Sequence, residues 1–176
     1  IPPLKFASAG EIDKNLIEIL RLNVRLPDIF MGDINSQIAA CNVGRRRLEE
    51  LSMNYDDQFL LDVFTSLLDR SEVMTRDALR QIPSGEYRYT DYLDNDGIVI
   101  DERIQISVNA IVGNGEIIFD FDQTSGQVKG PFNCVPSGSL SAACFAVRVL
   151  TGSDIPTNGG CFRPIQLKLP EGSIVN

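Results

Sequence analysis

The hydrophobic period of this chain changes at Pro83-Ser84-Gly85, and that change limits what it can fold into. Before it, apolar residues recur every three or four positions, as in helices with one buried face. After it they alternate, as in strands with one buried face. The expectation is an α+β fold, with a long antiparallel helical hairpin packed on a small antiparallel sheet, followed by a further helix and a C-terminal strand. Residues 1–83 form the mainly helical part and residues 84–176 the β-rich part with one helix. At 176 residues, 43% of them hydrophobic, the chain is long enough for one domain with a real core, burying roughly 70% of its unfolded surface.

In the helical part, residues 1–8 open with Pro2 and Pro3, which neither extend a helix nor donate to a ladder, so an extended segment is expected. Residues 10–22 carry Ile12, Leu16, Ile19 and Leu20 at helical spacing, with Ser8 as a candidate cap. Residues 23–30 read as a connection, because Pro27 pushes Leu26 out of the α region. The next helix is read to start at Gly32-Asp33, with Asp33 as its cap at the positive end of the dipole. Ile34, Ile38, Cys41 and Leu48 form its apolar stripe. Asp33, Gln37, Ala40, Gly44 and Arg47 lie about 100° round the axis. A carboxylate and an amide one turn apart can share a pocket; a solvated face with a capping Asp is the plainer account. Leu60, Phe64, Leu67, Met74 and Ala78 mark another helix over residues 57–81, and the two long helices are expected to pack as a hairpin.

In the β-rich part, residues 87–92 and 103–112 alternate, and Gly113-Asn114-Gly115 is a hairpin turn leading to a third strand over residues 116–122. On that strand Ile117, Phe119 and Phe121 share one face, while Ile118, Asp120 and Asp122 share the other. Asp94-Asn95-Asp96-Gly97 is a turn by composition. As a calcium loop it fails, since Tyr92 and Arg103 would stand at the first and last ligand positions. A helix is expected over residues 140–150, capped by Ser139 or Ser141, and a strand over residues 164–169.

Charge and cysteines exclude several functions. The net charge of −8 argues against a phosphate-backbone binder, which needs clustered cations. The triplet Arg45-Arg46-Arg47 reads as a salt-bridging helix surface. Cys41, Cys134, Cys144 and Cys161 form no CxxC pair, and the chain has no His, so no metal site is expected from these residues. Without a signal peptide or a long apolar run, the thiols are read as buried and reduced and the protein as cytoplasmic, with no membrane or nucleic-acid partner.

The order of several motifs resembles the hydantoinase B family. Asn23-x-Arg25, Gly32-Asp33-x-x-x-Gln37-x-Ala39-Ala40, Gly44-x-Arg46-Arg47-Leu48-x-Glu50-Leu51 and Tyr55 match first. Pro83-Ser-Gly85-x-Tyr87, Asp94-x-Asp96-Gly97, Asp120-Phe-x-x-Thr124-Ser125 and Gly130-Pro-x-Asn133 follow in order. The block from Asp154 through Asn158, Gly160 and Arg163-Pro164, with Pro170-Glu-Gly-Ser173, is the most specific. The family includes subunits of N-methylhydantoinase, 5-oxoprolinase halves, and subunits of acetone and acetophenone carboxylases.

The resemblance implies a hydantoinase A-like partner that holds ATP and Mg, a hetero-oligomer, and a cyclic amide or a ketone as small-molecule substrate. The implied chemistry is phosphorylation of an amide or enolate oxygen, then attack on the activated carbon by water or, in carboxylases, carbon–carbon bond formation. The alternatives are a ketone carboxylase subunit and a non-catalytic scaffold at a subunit interface. Relatives carry further sequence on both sides, with His- and Asp-rich metal motifs upstream, so the chain is read as a fragment that is not active alone, its metal motifs lying outside it. Asp33 is the expected water-positioning or structural acid, Arg25 its partner or an oxyanion donor, and Gln37 an orienting amide. Asn23, Asp120, Asn133 and Arg163 are the expected substrate-binding residues.

Overall fold

The computed structural model describes residues 4–152 and 154–176. The chain divides into two compact units between Leu60 and Leu61. The extended opening read for residues 1–8 lies partly outside the described residues.

In the first unit, Ala7–Ser8 (β1) pairs with Glu11–Ile12 (β2) across Ala9 and Gly10, whose φ values of 52° and 87° make a two-residue turn of left-handed residues. That hairpin displaces the expected helix start, and α1 spans Lys14–Asn23. Asp13 caps it in place of Ser8: its Oδ1 accepts from Asn15 N at 2.9 Å and Leu16 N at 3.2 Å.

Helix α2 spans Pro27–Ser52 and begins earlier than expected. Pro27 occupies its first position, where the missing N–H has no intrahelical acceptor to lose and the fixed φ suits the helix. Gly32 and Asp33 therefore lie inside the helix, and Asp33 is not its cap. Helix α1 packs against α2, with Leu20 and Met31 buried and Ile34 and Ile38 half-buried. Beyond residue 38 the stripe comes to the surface, Cys41 and Leu48 included. Arg45 pairs with Glu49 and Arg47 with Glu50 one turn on, as the basic triplet suggested.

Helix α3 spans Asp57–Arg80. In the second unit its later turns cover a four-stranded sheet of Gly85–Leu93 (β3), Ile104–Gly113 (β4), Glu116–Asp120 (β5) and Ile165–Lys168 (β6), in that spatial order. Asn114 and Gly115, with φ of 54° and 75°, make the expected tight turn. β3, β4 and β5 are antiparallel, but β6 runs parallel to β5, so the sheet is mixed.

Odd positions of β3, β5 and β6 share one face with even positions of β4. On that face Val112, Ile117 and Ile165 pack with Leu79 of α3 and with Ala143 and Val147 of α4 (Pro136–Thr151). A second cluster joins Ile104 to Ile174 and Val175. Helix α4 also begins at a proline, so Ser139 and Ser141 are interior rather than capping. The Ser139 hydroxyl donates to the Val175 carbonyl at 2.7 Å inside the core.

The motif loops hold themselves together. Buried Asp96 accepts from Ile98 N, Val99 N and Gly130 N at 2.8, 2.6 and 3.2 Å, and these amides, led by Val99, hold its carboxyl below the usual range. Thr124 Oγ1 accepts from Ser107 N and donates to Ser107 O. Asn158 caps a 3-10 turn, Gly159–Phe162, and its Nδ2 donates to Ser71 Oγ at 2.8 Å on α3.

Candidate functional site

The face of the sheet opposite the core is polar over part of its area, beside the Ile111–Ile118 pair. The register places Arg88 opposite Asn109, Asn109 opposite Asp120, and Asp120 opposite Lys168, a single row across all four strands. Thr90 and Ser107 form the neighbouring pair. Arg88, Asn109 and Asp120 of the row, with Thr90, Ser107, Val108, Asp122 and Gln123, line an open cavity of about 230 Å³. That size suits a small molecule rather than a peptide.

Most of the row is internally paired. Glu86 Oε2 accepts from Arg88 Nη2 at 2.8 Å and from Asn109 Nδ2 at 3.2 Å. These two donors, Arg88 first, hold the Glu86 carboxyl below the usual range. Lys168 Nζ donates to Asp120 Oδ2 at 3.2 Å, and Asp122 N to Asp120 Oδ1 at 3.0 Å. The Thr90 and Ser107 hydroxyls meet at 2.9 Å.

Two acceptors are left over. Because Glu86 is a carboxylate, the amide group of Asn109 that faces it must be the NH₂, and this fixes the side-chain orientation. Asn109 Oδ1 is then shielded from water without a hydrogen-bond partner. The carboxylate of exposed Asp122 forms no pair among the described residues. Arg88 retains guanidinium donors beyond its single ion pair, with its side chain 75% exposed.

The sequence-selected residues fall into separate places. Asn23, Arg25, Asp33 and Gln37 lie in the first unit, all exposed. Asn23 Nδ2 donates to its own helix at Ile19 O, 2.7 Å away. In the second unit only Asp120 lines the polar cavity. Asn133 grips Val128 from both sides, accepting from its N at 2.9 Å and donating to its O at 2.7 Å. Arg163 Nη1 donates to Asp69 at 2.7 Å and Glu72 at 3.0 Å on α3. Arg88, Thr90, Ser107 and Asn109 are absent from the sequence-based selection. Counting back from the Asn114-Gly115 turn is the signal that finds Asn109 opposite Asp120.

Another cavity of about 460 Å³ lies between the Asp96 loop and residues 125–129. Cys41 lies on an exposed shallow groove of α2, so it is not the buried thiol expected. Cys161 is buried and Cys144 half-buried. Burial, and then neighbouring Cys161, push the Cys144 thiol above its ordinary range. Among the described residues no group of three or more His, Cys, Asp or Glu could hold a metal ion. None of the described helices is long and apolar enough to cross a membrane.

With this geometry in place, likeness to known proteins is informative. A protein described as a putative D-/L-hydantoinase subunit, from a Pseudomonas species, is 30% identical over 98% of this chain and 31% of its own length. The crystal structure of the ATP-dependent caprolactamase from Pseudomonas jessenii superposes with a TM-score of 0.87 at 28% identity, over 100% of this chain and 30% of that one. Nucleotide-free acetone carboxylase has the same fold, with a TM-score of 0.77 at 15% identity over 98% of this chain and 24% of that one. The chain thus spans about 30% of the length of some curated relatives and 11–14% of the 5-oxoprolinases it matches. The family model for hydantoinase B/oxoprolinase matches residues 1–176, and the chain belongs to that family.

Proposed function

We propose that this chain is part of a subunit of an ATP-dependent enzyme that opens cyclic amides of the hydantoin, 5-oxoproline or lactam type. The observation that carries the reading is the whole-chain likeness, at 28% identity, to a protein described as an ATP-dependent caprolactamase. The polar cavity accords with it. Each ring amide offers one C=O and one N–H, and the sheet offers spare donors on Arg88 and a spare acceptor on Asp122.

The described residues do not fit a nucleotide or metal site. They include no Gly-x-x-x-x-Gly-Lys loop and no cluster of metal-ligating side chains. ATP and Mg are therefore assigned to a hydantoinase A-like partner, in a cytoplasmic hetero-oligomer, and any further metal to other parts of the subunit. Asp33, Arg25 and Gln37, with Asn23, are assigned to a site edge that the rest of the assembly completes. Asp120 is assigned to substrate binding, with Asn133 and Arg163 shaping the loops around it. A second reading, a scaffold joining subunits, draws on the exposure of Asn23, Arg25, Asp33 and Gln37.

The test is ATP-dependent turnover by the full-length two-subunit enzyme on 5-oxoproline, hydantoin, caprolactam, and acetone with bicarbonate. Ring opening supports the hydrolase, and carboxylation of acetone alone replaces it with a ketone carboxylase. In the same assay Asp33→Asn should abolish most turnover with subunit assembly intact. Unchanged turnover would leave Asp33 in the scaffold.

A further inference from the structure

We infer that the outer face of α4 is a docking surface, covered in the full-length subunit by the part of that same subunit that lies outside residues 1–176. Helices α2 and α3 carry charged residues on their exposed faces, as helices in contact with water do. Helix α4 does not: of its 16 residues only Arg148 is charged. Ser139, Ala143 and Val147 face the core. The opposite stripe, Ala142, Phe145 and Val149, is apolar as well, with Phe145 72% and Val149 67% exposed. A helix that is apolar on both faces belongs in an interior.

Arg148 is a second and independent sign. It stands three residues past Phe145, so the two are neighbours on the helix surface. Its Nη1 is shielded from water and has no hydrogen-bond partner. A shielded guanidinium donor left unmade is costly, so the surface that covers the stripe is expected to bring a carboxylate or carbonyl oxygen to it.

The occupant follows from length and position. The caprolactamase chain matches all of this chain with 30% of its own length, and the hydantoinase subunit matches 98% of it with 31%. Most of such a subunit therefore lies outside the described fold. The Val175 carbonyl accepts from Ser139 in the first turn of α4, and the Ile174 carbonyl accepts from Cys134 N just ahead of that helix, each at 2.7 Å. Chain continuing from there starts beside α4 and meets its outer face at high effective concentration. A second copy or the partner subunit has no such tether. None of this depends on which substrate the enzyme opens.

The test uses the full-length two-subunit enzyme with Phe145→p-benzoylphenylalanine, whose photo-crosslinked peptide is identified by mass spectrometry. Expected is a peptide from outside residues 1–176, in a product with the mass of one subunit. A crosslink to a second copy or to the partner subunit, or no crosslink, overturns the inference. Val149→Cys, a smaller change, keeps the test decisive if the first variant fails to fold. Peptide mapping separates its maleimide labelling from that of the native cysteines, and a covered face slows it at least about tenfold relative to enzyme unfolded in urea. Labelling at the unfolded rate shows an open face and overturns the inference. For the acceptor, Arg148→Met should lower the melting temperature and Arg148→Lys, which keeps a donor, should restore part of it. An unchanged melting temperature in Arg148→Met overturns that part.

Discussion

Gly160 sits directly against the backbone of Leu68 on α3: a Cβ placed on the glycine would lie 1.9 Å from the Leu68 carbonyl oxygen. The obstacle is main chain, so it cannot swing aside. Gly160→Ala should destabilise the full-length subunit by about 3 kcal/mol or more, at the upper end of overpacking costs. Gly126→Ala, whose nearest atom would be 3.6 Å away, is the control. Chemical denaturation compares the two, and equal stabilities would refute the close approach.

The ion network behind that turn is acid-sensitive. Hydrogen bonds from Arg163 and then Arg76 hold the Glu72 carboxyl below its ordinary 4.5, and Arg76 continues to Glu116 at 2.9 Å. A depressed folded-state pKa gives stability that is present above the unfolded value and lost as pH falls through the folded one. Melting temperatures of wild type and Glu72→Gln should therefore differ most near neutrality and converge as the pH falls below the ordinary 4.5. A gap that widens toward acid would contradict the assignment.

Asn133 closes its loop with one accepted and one donated bond to Val128. Asn133→Ala should cost about 1–2 kcal/mol, the net of two hydrogen bonds. Asn133→Asp should cost at least as much, because it sets a carboxylate against the Val128 carbonyl. Urea midpoints rank the three proteins, and a neutral alanine variant would remove the loop-closing role.

Leu79 is fully buried where α3, α4 and the sheet meet. Leu79→Ala should cost about 2–5 kcal/mol. Leu61→Ala, at a 58% exposed position of the same helix, should change stability by only about 0.5 kcal/mol. Thermal melting distinguishes them, and similar losses would place the core elsewhere.

Local signals were legible in proportion to how local their causes are. The Asn114-Gly115 turn, the end of α3 and the alternation of β4 follow from neighbouring residues, and each appears within a residue or two of expectation. The earlier-than-expected starts of α2 and α4 share one cause. Pro27 reads as a break in the sequence, yet a proline at the first helical position is compatible with the helix that follows, and Pro136 opens α4 in the same way. The two-residue strands β1 and β2 are too short to carry a period. The polar row was only partly readable: its β4–β5 half follows from the turn, but residues 94–103 between β3 and β4 give no count that places Arg88 beside Asn109. The parallel pairing of β6 depends on partners far away in sequence, which no local pattern encodes.

That distant pairing sets an order of assembly. Asp120 and Lys168 meet across the β5–β6 ladder although 48 residues separate them, while β4 and β5 close over a two-residue turn. High contact order delays such a pairing, so the hairpin can form early with its outer edge open until β6 arrives. On a ribosome the edge of β5 stays available until residues 165–168 have emerged, a window in which another nascent chain could pair there instead.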